Sequence, residues 1–216
     1  DMARKKEPER MEINKAGIVE AAKKQFLQNG VERTSMEDIA REACICKATL
    51  YACYPNRDAI RDDISLEAMR YLHQILTERA RVGGDIRENF TAACWALLRF
   101  KEKYPLSFQL IVENIRVDDA ALSENAALRE TYETGEKINT RLLAVFGAAF
   151  RSKSREEIIE TMFGFWGSIY GLISIADNKA AYIQKATGKS RDEFLKNGFE
   201  RLYRQMESGM DDRTGK

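Results

Sequence analysis

The sequence predicts an all-α protein. Only three prolines interrupt its 216 residues, and apolar residues recur with the 3.6-residue period of an amphipathic helix rather than with the alternation of a half-buried strand. Hydrophobic residues make up 44% of the chain and charged residues 32%, which is the composition of a soluble protein that can bury a sizeable core. We therefore expect packed helices in one large or two small domains.

The first helix is predicted over residues 14–29. Ile18, Ala22 and Phe26 follow one another at intervals of four residues and form its apolar face. Gly30 can end this helix in the left-handed conformation that closes many helices. We expect residues 1–11 to form a charged, mobile arm.

A short second helix is expected after Ser35, which can cap it. Glu37 and Asp38 in its first turn suit the positive end of the helix dipole. The buried side of this helix is predicted to consist of Ile39, Ala40 and Ala43.

The tight turn 44–46, Cys-Ile-Cys, leads into a third helix that begins near Lys47. Leu50 and Tyr54 are four residues apart and point toward the core, and Pro55 stops the helix. Two short helices joined by a tight turn form a helix-turn-helix. A long fourth helix is predicted over residues 57–81, with Asn56 as its cap, so that residues 12–60 form a small N-terminal domain.

This N-terminal stretch resembles the tetracycline-repressor-like (TetR) family of bacterial transcriptional regulators over about residues 13–62. The matching residues are Phe26, Gly30, Thr34, Ser35, Ile39, Ala40, Ala43, Ile45, Lys47, Thr49, Leu50, Tyr51, Tyr54, Asn56 and Arg57. The resemblance implies a homodimer whose third helices enter successive major grooves of a palindromic operator. It also implies a larger C-terminal helical domain, residues 61–210, that dimerises and binds an effector that releases the DNA, as in a repressor.

Residues at the start of the third helix are the candidates for contacting DNA bases, because the N-terminal residues of a recognition helix face the base edges. Lys47 could donate to a guanine, and Ala48 could touch a thymine methyl group. The resemblance adds a set whose hydroxyl and guanidinium groups suit phosphate oxygens: Thr34, Ser35, Thr49, Tyr51 and Arg57. The alternative for each is an exposed helix residue, with Ser35 merely a cap.

Three of the four cysteines lie in or near the turn, which leaves a thiol site as an alternative. Cys44 stands where the turn usually needs a glycine, at a cost of roughly 1 kcal/mol. Cys46 replaces the usual serine cap, which costs about another 1 kcal/mol. The two are too close in sequence for an easy disulfide, and further zinc ligands are lacking nearby. We expect incidental cysteines; the alternative is a thiol-responsive regulator that uses Cys44, Cys46 and Cys53, because a helix N-terminus can lower a thiol pKa.

Five further helices are predicted, over residues 85–103, 105–117, 124–150, 154–177 and 191–208, with 178–190 as a loop. They can enclose a pocket, and its candidate ligand-binding residues are the aromatic residues Trp95, Phe108, Phe163, Trp166 and Tyr170. The alternative for each of these is plain core. Because the expected lining carries few charges, the predicted effector is a small apolar molecule.

Three glycines, Gly164, Gly167 and Gly171, lie in an uncharged helical stretch where each costs about 1 kcal/mol relative to alanine. Close approach of another helix or of a ligand would compensate for that cost. In the TetR family the last two long helices form a four-helix dimer interface. An apolar stripe on the last predicted helix fits such an interface: Phe194, Leu195, Phe199, Leu202 and Met206.

Other function classes find little support in the sequence. The single histidine, His73, lies on a charged helix, and no nucleophile elbow, phosphate-binding loop or metal-ligand cluster is evident, so we expect neither an enzyme nor a cofactor. The longest uncharged run, 161–176, is shorter than the roughly 20 residues of a membrane span, which predicts a cytoplasmic protein. The formal net charge is only +1, so any contact with DNA must be local. A helical dimeric adaptor without specific DNA binding remains the other alternative.

Overall fold

The computed structural model of the chain describes residues 2–111 and 119–210. This part of the chain is built from α-helices and one 3-10 turn, Gly147–Ala149, without a β-strand, which confirms the all-α prediction. The helices are α1 Met2–Asn29, α2 Met36–Glu42, α3 Lys47–Cys53, α4 Arg57–Arg79, α5 Ile86–Lys103, α6 Pro105–Leu110, α7 Asp119–Glu124, α8 Ala126–Phe146, α9 Arg155–Asn178, α10 Ala180–Thr187 and α11 Arg191–Glu207.

The N-terminal arm and the loop differ from the sequence-based prediction. The first helix was predicted to begin at residue 14, whereas α1 begins at Met2, so residues 2–11 are helical; this stretch is rich in Met, Arg, Lys and Glu, which are strong helix formers. The loop predicted at 178–190 is also wrong, because α10 occupies most of it and ends at Gly188 with φ of +72°. Ile183 and Gly188 were the missed signals, a buried apolar residue and a C-terminal glycine. The predicted helix 105–117 is observed as α6 to Leu110, and residues 112–117 of the prediction lie outside the described part.

Capping boxes begin three of the helices. Ser35 accepts a hydrogen bond from the Asp38 backbone N–H, while the Asp38 carboxylate accepts one from the Ser35 N–H. The same reciprocal arrangement starts α9 at Ser154 and α11 at Ser190. The predicted cap at Ser35 is therefore confirmed, and α2 begins at the next residue, Met36.

The chain forms two compact units. The first comprises Asp1–Arg70 and Tyr104–Thr134. Its core joins the N-terminal helices to α6 through the buried side chains of Ile18, Ala21, Ala22, Phe26, Ile39, Ala40, Leu50, Tyr54, Ile60, Ile64 and Leu106. The units are not contiguous in sequence, and the functional division predicted between residues 60 and 61 stays a prediction.

The second unit comprises Tyr71–Lys103 and Gly135–Lys216. Within it α11 packs against α9 and α5, and the ring of Phe90 lies 5.9 Å from that of Phe165 and 5.8 Å from that of Tyr203. Gly198 permits the close approach of α11 to α9, because a Cβ atom there would overlap the Leu172 side chain.

Candidate functional site

The turn between α2 and α3 has the geometry that its sequence predicts. Cys44 has φ of +54° and is the one described non-glycine residue with a positive φ. The backbone N–H of Ile45 donates to the Ala40 carbonyl over 3.0 Å, and that of Cys44 donates to the Arg41 carbonyl over 3.2 Å. The left-handed residue thus lets the chain reverse direction while both of these backbone groups stay bonded.

Buried side chains fix α3 in place. Leu50 is fully buried and Tyr54 nearly so. The Tyr54 hydroxyl donates to the Asp63 carboxylate on α4 over 2.8 Å; burial and this bond raise the pKa of the tyrosine well above its usual range. Asn56 caps α4, since its Oδ1 accepts from the Ala59 N–H over 2.8 Å. Because Leu50 and Tyr54 anchor one side of α3, the opposite side of this helix is a surface with a fixed orientation.

The outer side of α3 carries the predicted base-contacting residues. Lys47 and Ala48 are exposed at its N-terminus, Tyr51 is 53% exposed, and Thr49 is half-buried. The Lys47 ammonium forms an ion pair with the Glu37 carboxylate of α2. We call the exposed residues Lys47, Ala48 and Tyr51 the outer face of α3.

Two hydroxyls of the predicted phosphate-contacting set are already bonded inside the protein. Thr34 is buried, and its hydroxyl donates to the Gly30 carbonyl over 2.9 Å at the end of α1. The exposed Ser35 hydroxyl donates to the Asp38 carboxylate over 2.6 Å as part of the cap. Both hydroxyls therefore have structural roles that the sequence pattern alone does not separate from a role in binding.

Arg57 is half-buried at the start of α4. Its Nη1 donates to the Glu32 carbonyl over 2.9 Å, and its Nη2 donates to the Glu32 carboxylate over 3.0 Å. The side chain of Glu32 is 81% exposed. The guanidinium thus braces the segment between α1 and α2 and lies close to the surface there.

Charge around the helix-turn-helix is balanced. Residues 12–60 contain seven Lys and Arg and seven Asp and Glu. Glu37 and Asp38 lie in the first turn of α2, and Glu37 contacts Lys47 on the outer face of α3. A polyanion would therefore be attracted by individual side chains rather than by a broad positive field.

The cysteines occupy different environments. Cys44 and Cys46 are exposed, Cys53 is half-buried and Cys94 is buried. Cys46 makes no side-chain cap at the start of α3; its sulfur lies 3.1 Å from the Thr49 hydroxyl, and hydrogen bonding to Thr49 lowers the pKa of the thiol. Burial raises the pKa of Cys94. All four are free thiols, and among residues 2–111 and 119–210 no group of three or more potential metal ligands is present.

The second unit contains an apolar cavity of about 60 Å³. The side chains that line it come from α4, α5, α8, α9, α11 and the segment after α8: Leu76, Phe90, Ala93, Leu97, Leu142, Phe146, Phe150, Thr161, Met162, Phe165, Trp166, Ile169 and Met206. The one hydroxyl among these side chains, that of Thr161, donates to the Glu157 carbonyl over 2.7 Å. The lining thus offers neither a charge nor a free hydroxyl donor to a bound molecule.

Only Trp166 of the five predicted ligand-binding residues lines this cavity. Phe108 is buried in the first unit, Phe163 is 61% exposed, and Tyr170 is half-buried outside the lining. Trp95 is 38% exposed and lies in a separate groove, with its ring 5.6 Å from that of Phe199.

Helical spacing could have located the lining residues of α9. Met162, Trp166 and Ile169 follow a spacing of four and three residues and share one side of the helix, whereas Phe163 lies about 100° farther round it. The sequence reading selected aromatic residues without assigning them to a side. It therefore missed Phe90, Phe146, Phe150 and Phe165 of the lining.

One side of α9 is apolar and open. No other part of the described chain lies within 4 Å of a Cβ atom built on Gly164, Gly167 or Gly171, and Phe163 and Ile175 beside them are more than half exposed. We call these five residues the glycine face. By length and composition alone α9 is the one helix of the described chain that could cross a membrane; a single such helix is weak evidence for a membrane protein.

The apolar stripe predicted for the dimer interface on the last helix is largely core instead. Leu195, Phe199 and Met206 are buried within their own unit, and Met206 lines the cavity. The predicted apolar stripe is present on α11, but it forms the side of the helix that packs on α5 and α9.

Residues 18–64 match the model of a family described as bacterial regulatory proteins, tetR family. One curated relative is the uncharacterized HTH-type transcriptional regulator YhgD of Bacillus subtilis (strain 168), which is 29% identical over 107 residues. That similarity covers 50% of this chain and 56% of the relative, so the chain spans little more than half of the length of this curated protein.

Solved structures resemble the chain over most of its length. One is a protein from Shewanella sp. PV-4 assigned to the tetR family of transcription regulators, with a TM-score of 0.65, 18% identity, and coverage of 93% of this chain and 99% of the other. Another is the TetR family transcriptional regulator PfmR of Thermus thermophilus, with a TM-score of 0.62, 18% identity, and coverage of 87% and 97%. At these identities the likeness concerns the fold. Residues 18–64, which include the helix-turn-helix, are thus the part of the chain that matches the tetR family of bacterial regulatory proteins.

Proposed function

We propose that this protein is a DNA-binding transcriptional regulator that binds a palindromic operator as a homodimer and releases it when a small apolar effector binds. The observation that carries the proposal is the outer face of α3, which is exposed on a helix anchored from behind by Leu50 and Tyr54. A rigid helix with a free N-terminal surface is what insertion into a major groove requires. The proposal assigns the protein to the cytoplasm and gives it no catalytic role.

In the proposed complex Lys47 and Ala48 face the bases. Lys47 must exchange its ion pair with Glu37 for a guanine edge; an exposed ion pair contributes roughly 0–1 kcal/mol, so the exchange costs little. Thr49, Tyr51 and Arg57 are assigned to the phosphates, and Ser35 approaches them at the start of α2. Thr34 is left out of the contacting set because its hydroxyl is buried and bonded.

The glycine face of α9 is the proposed dimer contact. Three glycines in the interior of a helix cost about 1 kcal/mol each relative to alanine, and nothing within the described chain approaches them. Small residues let two helix backbones come close, and Phe163 and Ile175 supply apolar area to bury. A second copy of the chain packed on this face would offset the cost of the glycines.

The apolar cavity is the proposed effector site. Its volume of about 60 Å³ is less than half of the roughly 150 Å³ of an engineered apolar cavity that binds benzene, so it holds only a ligand smaller than benzene. A larger effector must therefore displace lining side chains, and the flexible Met162 and Met206 are suited to such adjustment. This need for rearrangement supports a coupling between effector binding and the shape of the second unit.

Selection of bound fragments from random double-stranded DNA tests the proposed function. We expect enrichment of a palindrome whose half-sites have centres one helical turn apart or a multiple of it, as two copies of α3 require. Recovery of fragments without a shared motif would favour the dimeric adaptor over the regulator.

The thiol-responsive alternative also has an observation in its favour, namely the exposed Cys46 thiol with its lowered pKa at the start of α3. Oxidation there would place a new polar group at the proposed DNA surface. Operator binding by the wild type and by Cys46→Ser, each measured with and without hydrogen peroxide, decides between the two readings. Loss of binding in the oxidised wild type alone would establish the thiol response, and equal binding in all four samples would remove it.

A further inference from the structure

An open groove of about 720 Å³ runs between α4 and α5 of the second unit, apart from the apolar cavity. Its floor contains Ile75 of α4 together with Ala92 and Ala96 of α5. These two alanines are four residues apart and therefore neighbours on one side of α5. The groove exists because side chains this small leave the space between the helices unfilled.

Thr91, Trp95 and Arg99 form a row along the α5 wall of the groove. All three are exposed and follow one another at intervals of four residues. The ring of Trp95 is 38% exposed and is held edge-on against the ring of Phe199 at 5.6 Å. An ordered aromatic surface thus lies one helical turn from a guanidinium group.

The end of the groove at Arg99 is positively charged. In the described part of the chain Arg99 forms neither an ion pair nor a hydrogen bond, and the Lys103 ammonium one turn farther lies 4.1 Å from the ring centroid of Tyr71 on the opposite wall. At the other end Arg87 is paired with Glu200 over 2.5 Å, and Glu78 accepts a hydrogen bond from Gln74. The groove therefore combines a cationic end at Arg99 with a middle lined by an aromatic ring and alanines.

We propose that this groove binds a planar aromatic carboxylate, with its ring on Trp95 and its carboxylate on Arg99. A guanidinium presents paired N–H donors that match the two oxygens of a carboxylate, and a flat ring gains from contact with the indole. The groove extends about 18 Å along α5 from residue 87 to residue 99, at 1.5 Å per residue, so a fused ring system fits between its ends. The apolar cavity, which has no charged lining residue, is unsuited to such an anion.

This site is independent of the proposed regulatory function, so it can be tested without DNA. Isothermal titration calorimetry of the full chain with 2-naphthoate, and with the uncharged 2-naphthamide for comparison, measures the contribution of the carboxylate. We expect one naphthoate bound per chain and at least about tenfold weaker binding of the amide, a ratio that corresponds to 1.4 kcal/mol. Undetectable binding of naphthoate at millimolar concentration, or equal binding of acid and amide, would overturn the proposal.

Two pairs of variants locate the binding. Trp95→Leu and Arg99→Gln should each weaken naphthoate binding by at least about tenfold. Their controls, Tyr182→Leu and Arg81→Gln, change an exposed tyrosine and an exposed arginine outside the groove and should stay within twofold of wild type. Because Arg99 is exposed, its variant keeps the test decisive even if Trp95→Leu fails to fold. Unchanged affinity in Arg99→Gln would reject this groove as the site.

Discussion

Cys44 and Cys46 occupy two positions of the turn where their side chains are poorly suited to the backbone. Cys44 has a left-handed backbone that favours glycine, and Cys46 begins α3 without a side-chain cap. Both features were predicted from the sequence, because the family pattern that it resembles has a glycine at the first of these positions and a serine cap at the second. The burial of Thr34 did not follow, since it depends on how the end of α1 meets α2.

Replacement of Cys44 by glycine should stabilise the protein. We expect the free energy of unfolding to rise by up to about 1 kcal/mol, because glycine adopts φ of +54° without steric cost. The measurement is urea unfolding followed by circular dichroism. The matched control is Cys44→Ala, which retains a Cβ atom and should give no such gain; equal stabilisation by both variants would point away from backbone strain.

Thiol reactivity reports on the hydrogen bond between Cys46 and Thr49. Because that bond lowers the pKa of Cys46, its thiolate should appear at a lower pH than in Thr49→Val, where the hydroxyl is absent. Rates of alkylation by iodoacetamide, resolved by peptide mass spectrometry between pH 6 and 10, give both profiles. Cys94, whose pKa is raised by burial, should remain unmodified in the folded protein. Superimposable profiles for Cys46 in the two proteins would show that Thr49 does not stabilise the thiolate.

Among the elements, α9 and α11 show what periodicity can and cannot predict. The apolar stripe of α11 was evident from its spacing, yet a stripe does not state whether it faces the same chain or another. Only the packing shows that Leu195 and Phe199 are core, and that Gly198 must lack a side chain to accommodate Leu172. The glycines of α9 have a helix-propensity cost that the sequence reveals, and their open surroundings within the described chain favour a partner outside it.

The proposed dimer contact can be tested by adding bulk to the glycine face. Gly167→Leu should convert the dimer to monomer at micromolar concentration, because a leucine side chain would separate two closely packed backbones. Sedimentation equilibrium measures the change. Gln184→Leu places the same side chain on an exposed position of α10 and should leave the dimer intact. A Gly167→Leu protein that still sediments as the wild-type dimer would place the interface elsewhere.

For the whole molecule, the near balance of charge limits how the proposed DNA binding can work. The formal net charge is +1, and residues 12–60 carry equal numbers of basic and acidic side chains, so the proposed binding must depend on a few direct contacts. Composition predicted that any contact would be local, and the matched pattern predicted which helix would make it. The distribution of aromatic residues between cavity and groove could not be predicted, because it depends on how distant helices pack.

Lys47 and Arg57 should respond differently to replacement by alanine, and this difference tests the central claim that the outer face of α3 reads DNA. A lysine at a guanine edge supplies roughly 1–3 kcal/mol of discrimination at one base pair, whereas a phosphate contact strengthens binding to every sequence. Glu32→Gln controls for the bracing role of Arg57, because it removes the ion pair and keeps the guanidinium. Equal melting temperatures would verify that the variants are folded.

The decisive measurement is operator selection followed by salt-dependent titration of Lys47→Ala and Arg57→Ala. We expect Lys47→Ala to lose its preference at one symmetric pair of operator positions. Arg57→Ala should weaken binding to operator and random DNA alike and lower the salt slope by about one for each lost contact, counted in both subunits. Identical losses on all sequences for both variants would contradict base reading by Lys47, and unchanged binding in both would remove the helix-turn-helix from the account of function.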